Sequence, residues 1–336
     1  MSNLITGASG MVGSHLLDLL MDETSEDIVI LMRVRSSFEN IERWIPEIEK
    51  GSKSRIFVEY GDLNDQLSLA QIFRKHSISK IYHLAAQSYP KTSFDAPHET
   101  LSTNVIGTLN ILETAKNYAR KSKIHICSSS EVFGRVPKNK VPINENEAFH
   151  PASPYAISKA GTDLIGRFYA EAYAMNIVVT RMFTHTGPRR GDVFAESTFA
   201  KQIALIEAGV IEPIVKVGNL DSLRTFADVR DAVRAYYSLL NRKPFKSDYY
   251  NIGGTHSCTV GEMLEFLISL SSHKNIKIEV DPDRIRPIDA DLQIPDCTKF
   301  LTDINWSRKY SFEDTMSDLL NFWRDKVSHN PNFLTR

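Results

Sequence analysis

A tyrosine and a lysine stand four residues apart in Tyr155-Ala156-Ile157-Ser158-Lys159. On a helix that spacing puts both side chains on one face. The ammonium can then lie beneath the phenol and draw its pKa towards neutrality by charge proximity, which makes Tyr155 a credible acid/base. Upstream, Cys127-Ser128-Ser129-Ser130-Glu131-Val132-Phe133-Gly134 follows a strand-like run, Lys123 to Cys127. A hydroxyl such as that of Ser129, delivered from the end of that strand, could hydrogen-bond the same substrate oxygen and orient it for proton transfer. Together these groups form a device for oxidising an alcohol. Glu131 adds a carboxylate close to Ser129, able to remove a proton from the carbon next to a newly made ketone, which is elimination chemistry. A Tyr-x-x-x-Lys pair alone occurs by chance on many helices, so its weight depends on the elements around it.

Those elements begin at the first residues. A short apolar strand meets Thr6-Gly7-Ala8-Ser9-Gly10-Met11-Val12-Gly13, a helix is predicted from about Val12 to Met21, and a second strand at Ile28 to Met32. Glycines 7, 10 and 13 let the backbone turn tightly and bring a helix N-terminus against a pyrophosphate. Where NAD-binding folds tend to place an Asp or Glu for the ribose hydroxyl, this chain has Arg33, Arg35, Ser36 and Ser37. Two guanidiniums and two hydroxyls suit a 2′-phosphate, so NADP is favoured over NAD. A third strand is predicted at Arg55 to Tyr60, ending in Gly61-Asp62-Leu63, where Asp62 could accept from an adenine amine or cap the next helix, Leu67 to Lys75. Lys80 to Leu84 reads as a strand opening into Ala85-Ala86-Gln87-Ser88, small residues that permit close approach of a ligand at a sheet's switch point. Helices follow at Thr103 to Asn117 and Tyr155 to Ala174. The architecture predicted is α/β, a Rossmann-type doubly wound parallel sheet over residues 1–180, with 181–336 mainly a smaller substrate-binding lobe and some later segments returning to the first.

After a strand at Ile177 to Met182 the character changes. Loops carry Arg189, Arg190, Arg224, Arg284 and Arg286, whose convergence on a diphosphate would explain them; scattered surface arginines are the plainer alternative. Helices are predicted near Phe199 to Glu207, Asp231 to Leu240 and Phe312 to Val327. The 336 residues carry a net charge of −1 with 24% charged residues, which argues against nucleic acid or an anionic membrane as the main partner. Three widely spaced cysteines give neither a disulfide framework nor a zinc pattern, so no metal is expected and a reducing cytoplasm is the default. No secretion signal or membrane-length apolar run is seen.

Four segments then carry a resemblance over essentially the whole chain: Ala85-Ala86-Gln87-Ser88 followed by Lys91-Thr92-Ser93-Phe94-Asp95; Gly187-Pro188-Arg189-Arg190-Gly191; Gly218-Asn219-Leu220-Asp221 with Arg224; and Arg286-Pro287-Ile288-Asp289-Ala290-Asp291 with Lys299. With the glycine motif, Ser128 to Gly134 and Tyr155-x-x-x-Lys159, the chain resembles the extended short-chain dehydrogenase/reductases acting on nucleotide sugars, and among them the GDP-mannose 4,6-dehydratases. The resemblance implies catalytic Ser129 (where that family usually has Thr), Glu131 as base, and Tyr155 with Lys159. It implies an NADP site built from Gly7, Ser9, Gly10, Met11, Val12 and Gly13, then Arg33, Arg35, Ser36, Asp62 and Leu63. Leu84, Ala85, Ala86, Ser88, Tyr155, Lys159, His185 and Arg190 complete it. For a GDP-sugar it implies Ser88, Lys91, Ser129, Ser130, Glu131, Thr184, Asn219, Arg224, Arg286 and Asp289. It further implies a homodimer or homotetramer, with the Arg33 to Pro46 loop able to reach a neighbour's cofactor site. The chain departs from the family at Thr184, where Asn is common before the histidine, and at Thr186-Gly187. The exact sugar, a hexose or heptose, is therefore open. A 4-dehydrogenase, 4-keto reductase or epimerase on the same ligand class remains the alternative, and a non-catalytic NADP-binding regulator is disfavoured by the joint presence of Ser129, Glu131, Tyr155 and Lys159.

Overall fold

The computed structural model describes residues 1–285 and 292–330. Seven parallel strands form its main sheet: β1 (Ser2–Thr6), β2 (Asp27–Met32), β3 (Ile56–Tyr60), β4 (Ile78–His83), β5 (Lys123–Cys127), β6 (Asn176–Met182) and β8 (Asp248–Ile252), with β7 (Leu223–Asp228) standing outside it. Their order across the sheet is β8-β6-β5-β4-β1-β2-β3. The chain thus runs outward from β1 through β2 and β3, then restarts beside β1 at β4 and runs the other way. That reversal opens a crevice at the carboxyl ends of β1 and β4, the place where such sheets bind ligands.

The strands are apolar almost throughout because helices cover both faces. On one face α1 (Met11–Glu23) packs against α6 (Val229–Asn241), and Leu16, Leu17, Leu20, Tyr236, Leu239 and Leu240 are fully buried between them and the sheet. On the other lie α2 (Gln66–Lys75), α3 (Gly107–Tyr118) and α4 (Pro154–Tyr173), contributing Leu69, Ile72, Phe73, Ile111, Leu112 and Tyr169. The sheet lobe therefore draws on residues 229–252 and on Phe300 and Ile304 of the helix Thr298–Asp303, all beyond the middle of the chain. A separate core joins α5 (Ala195–Glu207), α7 (Val260–Ser269) and α8 (Phe312–His329) through Phe199, Ile203, Leu264, Leu267, Met316, Leu320 and Trp323. Small sheets flank it: β7 pairs with His256–Thr259, His185–Thr186 and Leu292–Gln293, and Ile214–Val217 pairs with Lys277–Val280.

Two elements differ from the sequence reading. The helix expected from Thr103 is part of a longer helical run from Pro97 to Tyr118, interrupted at Ser102–Ile106 by a π turn. Asp65, not Asp62, caps α2 by accepting from the Leu67 amide. The Arg33 to Pro46 segment packs against its own chain: Ile41 is fully buried, Trp44 Nε1 donates to Asp18 at 2.7 Å and Asn40 Nδ2 donates to the Ser9 carbonyl at 2.9 Å. Among the described residues, no helix is long and apolar enough to cross a membrane and no group of three or more His, Cys, Asp or Glu could hold a metal ion.

Candidate active site

A cavity of about 1120 Å³ occupies the crevice. Its floor is the glycine turn between β1 and α1. Gly7 has φ 77°, and a Cβ there would lie 2.8 Å from the Ala85 nitrogen. At Gly13 a Cβ would lie 2.1 Å from the Gly7 carbonyl oxygen, so only glycine lets α1 sit this close to the strand. No side chain caps α1 at Gly10; its first amides line the cavity and suit an anion. Ser9, Gly10, Met11, Val12, Arg33, Ser36, Asp62, Leu63, Leu84, Ala85, Ala86 and Ser88 all line the same space. Arg33 and Ser36 form a tight turn, Ser36 N donating to the Arg33 carbonyl at 2.9 Å, and no carboxylate stands at the end of β2. A dinucleotide with a 2′-phosphate fits these donors. Arg35, expected beside them, is exposed and does not line the cavity, because the turn that presents Arg33 and Ser36 carries Arg35 outward.

At the far end, Ser129, Ser130 and Glu131 leave the tip of β5 in a 3₁₀ turn, with the Glu131 amide donating to Ser129 Oγ at 3.2 Å. Ser153 caps α4 and Pro154 opens it, so Tyr155 and Lys159 fall on its buried first turns. Tyr155 and Ser129 both line the cavity beside Glu131 and Lys159. The four chemistry-bearing residues are thus together. The phenol is not drawn towards neutrality by Lys159: burial pushes its pKa above the ordinary value, while Ser129 and the Arg190 guanidinium oppose that rise. Lys159 instead donates to the Cys127 carbonyl at 2.8 Å, and burial lowers its own pKa. His185 lines the cavity with Nδ1 donating to the Phe183 carbonyl at 3.2 Å; burial and Arg190 lower its pKa to about 4, so the ring is neutral.

Four of the five arginines expected to converge line this one cavity, each beside a carboxylate. Arg189 Nη1 lies 2.8 Å from Asp18, Arg190 Nε 3.1 Å from Glu196, Arg224 Nη1 3.5 Å from Glu131, and Arg284 Nε 3.1 Å from Asp281, and all four arginines line the cavity. Thr184 and Asn219 line it too, the Asn219 amide being engaged within its own turn with Ser222 and Asp221. Lys91, expected on substrate, reaches across to the Asp283 carbonyl at 2.6 Å. Arg286 and Asp289 lie outside the described residues.

Two supporting residues were missed by the sequence reading. Asn104, 2% exposed in the π turn, receives the Gln87 amide at 2.8 Å, donates back to the Gln87 carbonyl at 2.9 Å and donates to Ser158 at 2.8 Å. It fastens the Ala85–Ser88 loop to the catalytic helix. Nothing in the hydrophobic pattern marks it, since the π turn that aims it inward leaves no periodicity signal. Glu196 is the second; an acid in a first helical turn reads as a dipole complement, and only the fold sets it against Arg190.

A family model described as GDP-mannose 4,6 dehydratase matches residues 4–319. The chain belongs to that family. A GDP-mannose 4,6 dehydratase of Drosophila melanogaster is 30% identical, the match covering 98% of this chain and 87% of that protein, and one of Sinorhizobium fredii is 30% identical over 94% and 95%. The human family member is 28% identical over 98% of this chain and 93% of its own. Among solved structures, RMD from Pseudomonas aeruginosa complexed with NADPH superposes with a TM-score of 0.81 at 25% identity, covering 97% of this chain and 99% of that one. A UDP-glucose 4-epimerase from Thermotoga maritima with UDP-glucose gives 0.84 at 26% identity, over 97% and 100%. The family's dehydratases and the fold's epimerases thus share the scaffold described above.

Proposed function

We propose that this chain is a GDP-sugar 4,6-dehydratase, a hydro-lyase that converts GDP-mannose or a related GDP-hexose or heptose to the 4-keto-6-deoxy form with tightly held NADP. The observation that carries this reading is the meeting of Ser129, Glu131, Tyr155 and Lys159 in one cavity with the glycine turn. The sheet lobe would hold the dinucleotide, with Arg33 and Ser36 at its 2′-phosphate and the α1 amides at its pyrophosphate. When bound, NADP would take up a hydride from carbon 4 of the sugar and return it to carbon 6. Tyr155, with Ser129 in the same cavity, takes the proton of the 4-hydroxyl. Glu131 removes the proton at carbon 5, made acidic by the new ketone, and that proton leaves with the 6-hydroxyl as water. The proton held by Tyr155 is then available to carbon 5, so atoms and charge close within the site and no cofactor is consumed. Arg224, paired with Glu131 and lining the wall shared with Asn219, is suited to a diphosphate oxygen at that end. A soluble cytoplasmic enzyme acting as a homodimer or homotetramer fits this chemistry and the exposed apolar stripe of α4, Ile157, Leu164 and Phe168.

Mass spectrometry of the purified protein incubated with GDP-mannose, and in parallel with a GDP-heptose, tests the reading. A product lighter by one water without added cofactor identifies the reaction and the sugar. A nucleotide sugar lighter by two hydrogens, formed in step with reduced cofactor accumulating on the protein, would replace it with a 4-dehydrogenase.

A further inference from the structure

The strand β6 carries one charged residue, Arg181, and the fold buries it completely. Its Nε and Nη2 donate to the two carboxylate oxygens of Asp163 on α4 at 2.8 and 3.0 Å, and Asp163 is just as fully buried. Its Nη1 donates to the Glu145 carbonyl at 2.8 Å. The guanidinium carbon stands 4.6 Å from the centre of the Tyr249 ring, 4.7 Å from that of Phe149 and 5.5 Å from that of Phe133. Phe133 is the last residue of the 3₁₀ turn that begins with Ser130 and Glu131. Buried together with Val132, it meets Phe149 edge-on at 5.8 Å and stacks on Phe183 at 6.3 Å. Gly134 closes the turn at φ 58°, where a Cβ would lie 1.7 Å from the His150 carbonyl oxygen, and the His150 amide donates to the Val132 carbonyl at 2.9 Å. The underside of the Glu131 turn thus rests on an aromatic cluster with a guanidinium at its centre.

A buried ion pair is a poor source of stability, since two apolar side chains of similar volume serve as well or better. What it supplies here is direction: the bidentate carboxylate fixes the plane of the guanidinium, and that plane sets where the surrounding rings can lie. We propose that Arg181, oriented by Asp163, is a positioning residue that holds the Ser130–Phe133 turn, and so Glu131, in place against the catalytic helix. Neither Arg181 nor Asp163 is among the residues that line the cavity, so both act through Phe133. Tyr155 is held separately, in the first turn of α4, which Ser153 caps about two turns before Asp163. Loss of the pair therefore moves Glu131 and leaves Tyr155 where it is. The kinetic consequence rests on the reading of Glu131 as the base of the water-loss step.

Two variants and two measurements test it. Arg181→Met combined with Asp163→Leu removes both charges and keeps the site filled, whereas Arg181→Lys keeps the charge and loses the planar fork. Hydrogen exchange followed by mass spectrometry on the NADP-loaded protein reads the amides of residues 130–134 without turnover. The products formed from GDP-mannose, lighter by one water or by two hydrogens, give the fraction of oxidised sugar that goes on to lose water. The double variant is expected to melt as cooperatively as the unaltered protein and to exchange faster at 130–134 but not along α4 or β6. It should also release about tenfold less water per sugar oxidised, at unchanged KM, as for a reacting group displaced by a fraction of its working distance. Arg181→Lys moves both readouts the same way, and it decides the matter should the double variant fail to fold. Unaltered exchange at 130–134, faster exchange there with the same fraction losing water, or a uniform loss of both steps with exchange rising throughout α4 overturns the proposal. An unaltered protein that never releases water fails the dehydratase reading instead, and exchange at the turn then decides this one alone.

Discussion

Glu131 is the residue at which a dehydratase parts from a simple dehydrogenase, because Ser129, Tyr155 and Lys159 alone suffice to oxidise carbon 4. Glu131→Gln should leave that oxidation detectable as reduced cofactor, while water loss falls by roughly 10²-fold or more, as for removal of a general base. A variant that dehydrates at the wild-type rate would show that the carboxylate serves binding instead. Single residues also set the acid stability. His15, His83 and His125 are buried, His185 is half-buried in the cavity wall, and all four are neutral, with pKa values lowered by loss of solvent to about 4, 3, 3 and 4. The unfolded chain takes up these protons near pH 6.5, and the folded one does so only near 4 or below. Stability is therefore full above pH 6.5 and falls as pH drops towards 4, by up to roughly 1.4 kcal/mol per histidine per pH unit. Most carboxylates ionise below this window, so melting temperatures recorded from pH 7 to pH 5 read the histidines. A flat profile would mean that the four rings are hydrated in solution.

At the scale of elements, the π turn at Ser102–Ile106 connects the substrate loop to the catalytic helix through Asn104. Asn104→Ala would leave the Gln87 amide and carbonyl without their partner in a buried place, a cost of about 1–3 kcal/mol. Denaturant unfolding should show that loss together with a lower kcat; an unchanged midpoint would mean that water replaces the side chain without penalty. This turn also marks where sequence reading stopped. Strand β5 was legible to the residue, since Ile124 and Ile126 alternate with Lys123 and His125 in a short run ending at Cys127, and α4 to within one residue, because Pro151 to Pro154 breaks the chain just before it. The glycine turn and the Tyr155–Lys159 face were legible for the same reason: their chemistry is local. Asn104, Glu196 and the direction of the Tyr155 shift were not, because each depends on which distant group the fold sets opposite. The charge proximity inferred from four-residue spacing gave way to burial of the phenol, which raises its pKa.

For the whole molecule, α4 has two working faces. The inner one carries Tyr155, Ser158, Lys159, Thr162 and Asp163, all buried. The outer one exposes Ile157, Leu164 and Phe168 by half or more, at helical spacing that aligns them in one stripe past Gly161, with Leu101 and Ile106 exposed on the helical run packed beside it. Single exposed apolar side chains need no account, whereas an aligned stripe on adjoining helices is the pattern expected of a surface that another chain would cover. A second copy meeting the same stripe across a two-fold axis is self-complementary and closes without leaving a free face. The double substitution Leu164→Arg and Phe168→Glu places charges in that contact while leaving the inner face untouched. Light scattering after size exclusion should then report a monomer where the unaltered protein gives a dimer. Because Tyr155 and Lys159 ride on the same helix, loss of the contact should also lower kcat before it raises KM, since the helix would lose the partner that braces its outer side. A variant that keeps the unaltered mass would move the interface to another face, and a monomer with full kcat would separate assembly from catalysis.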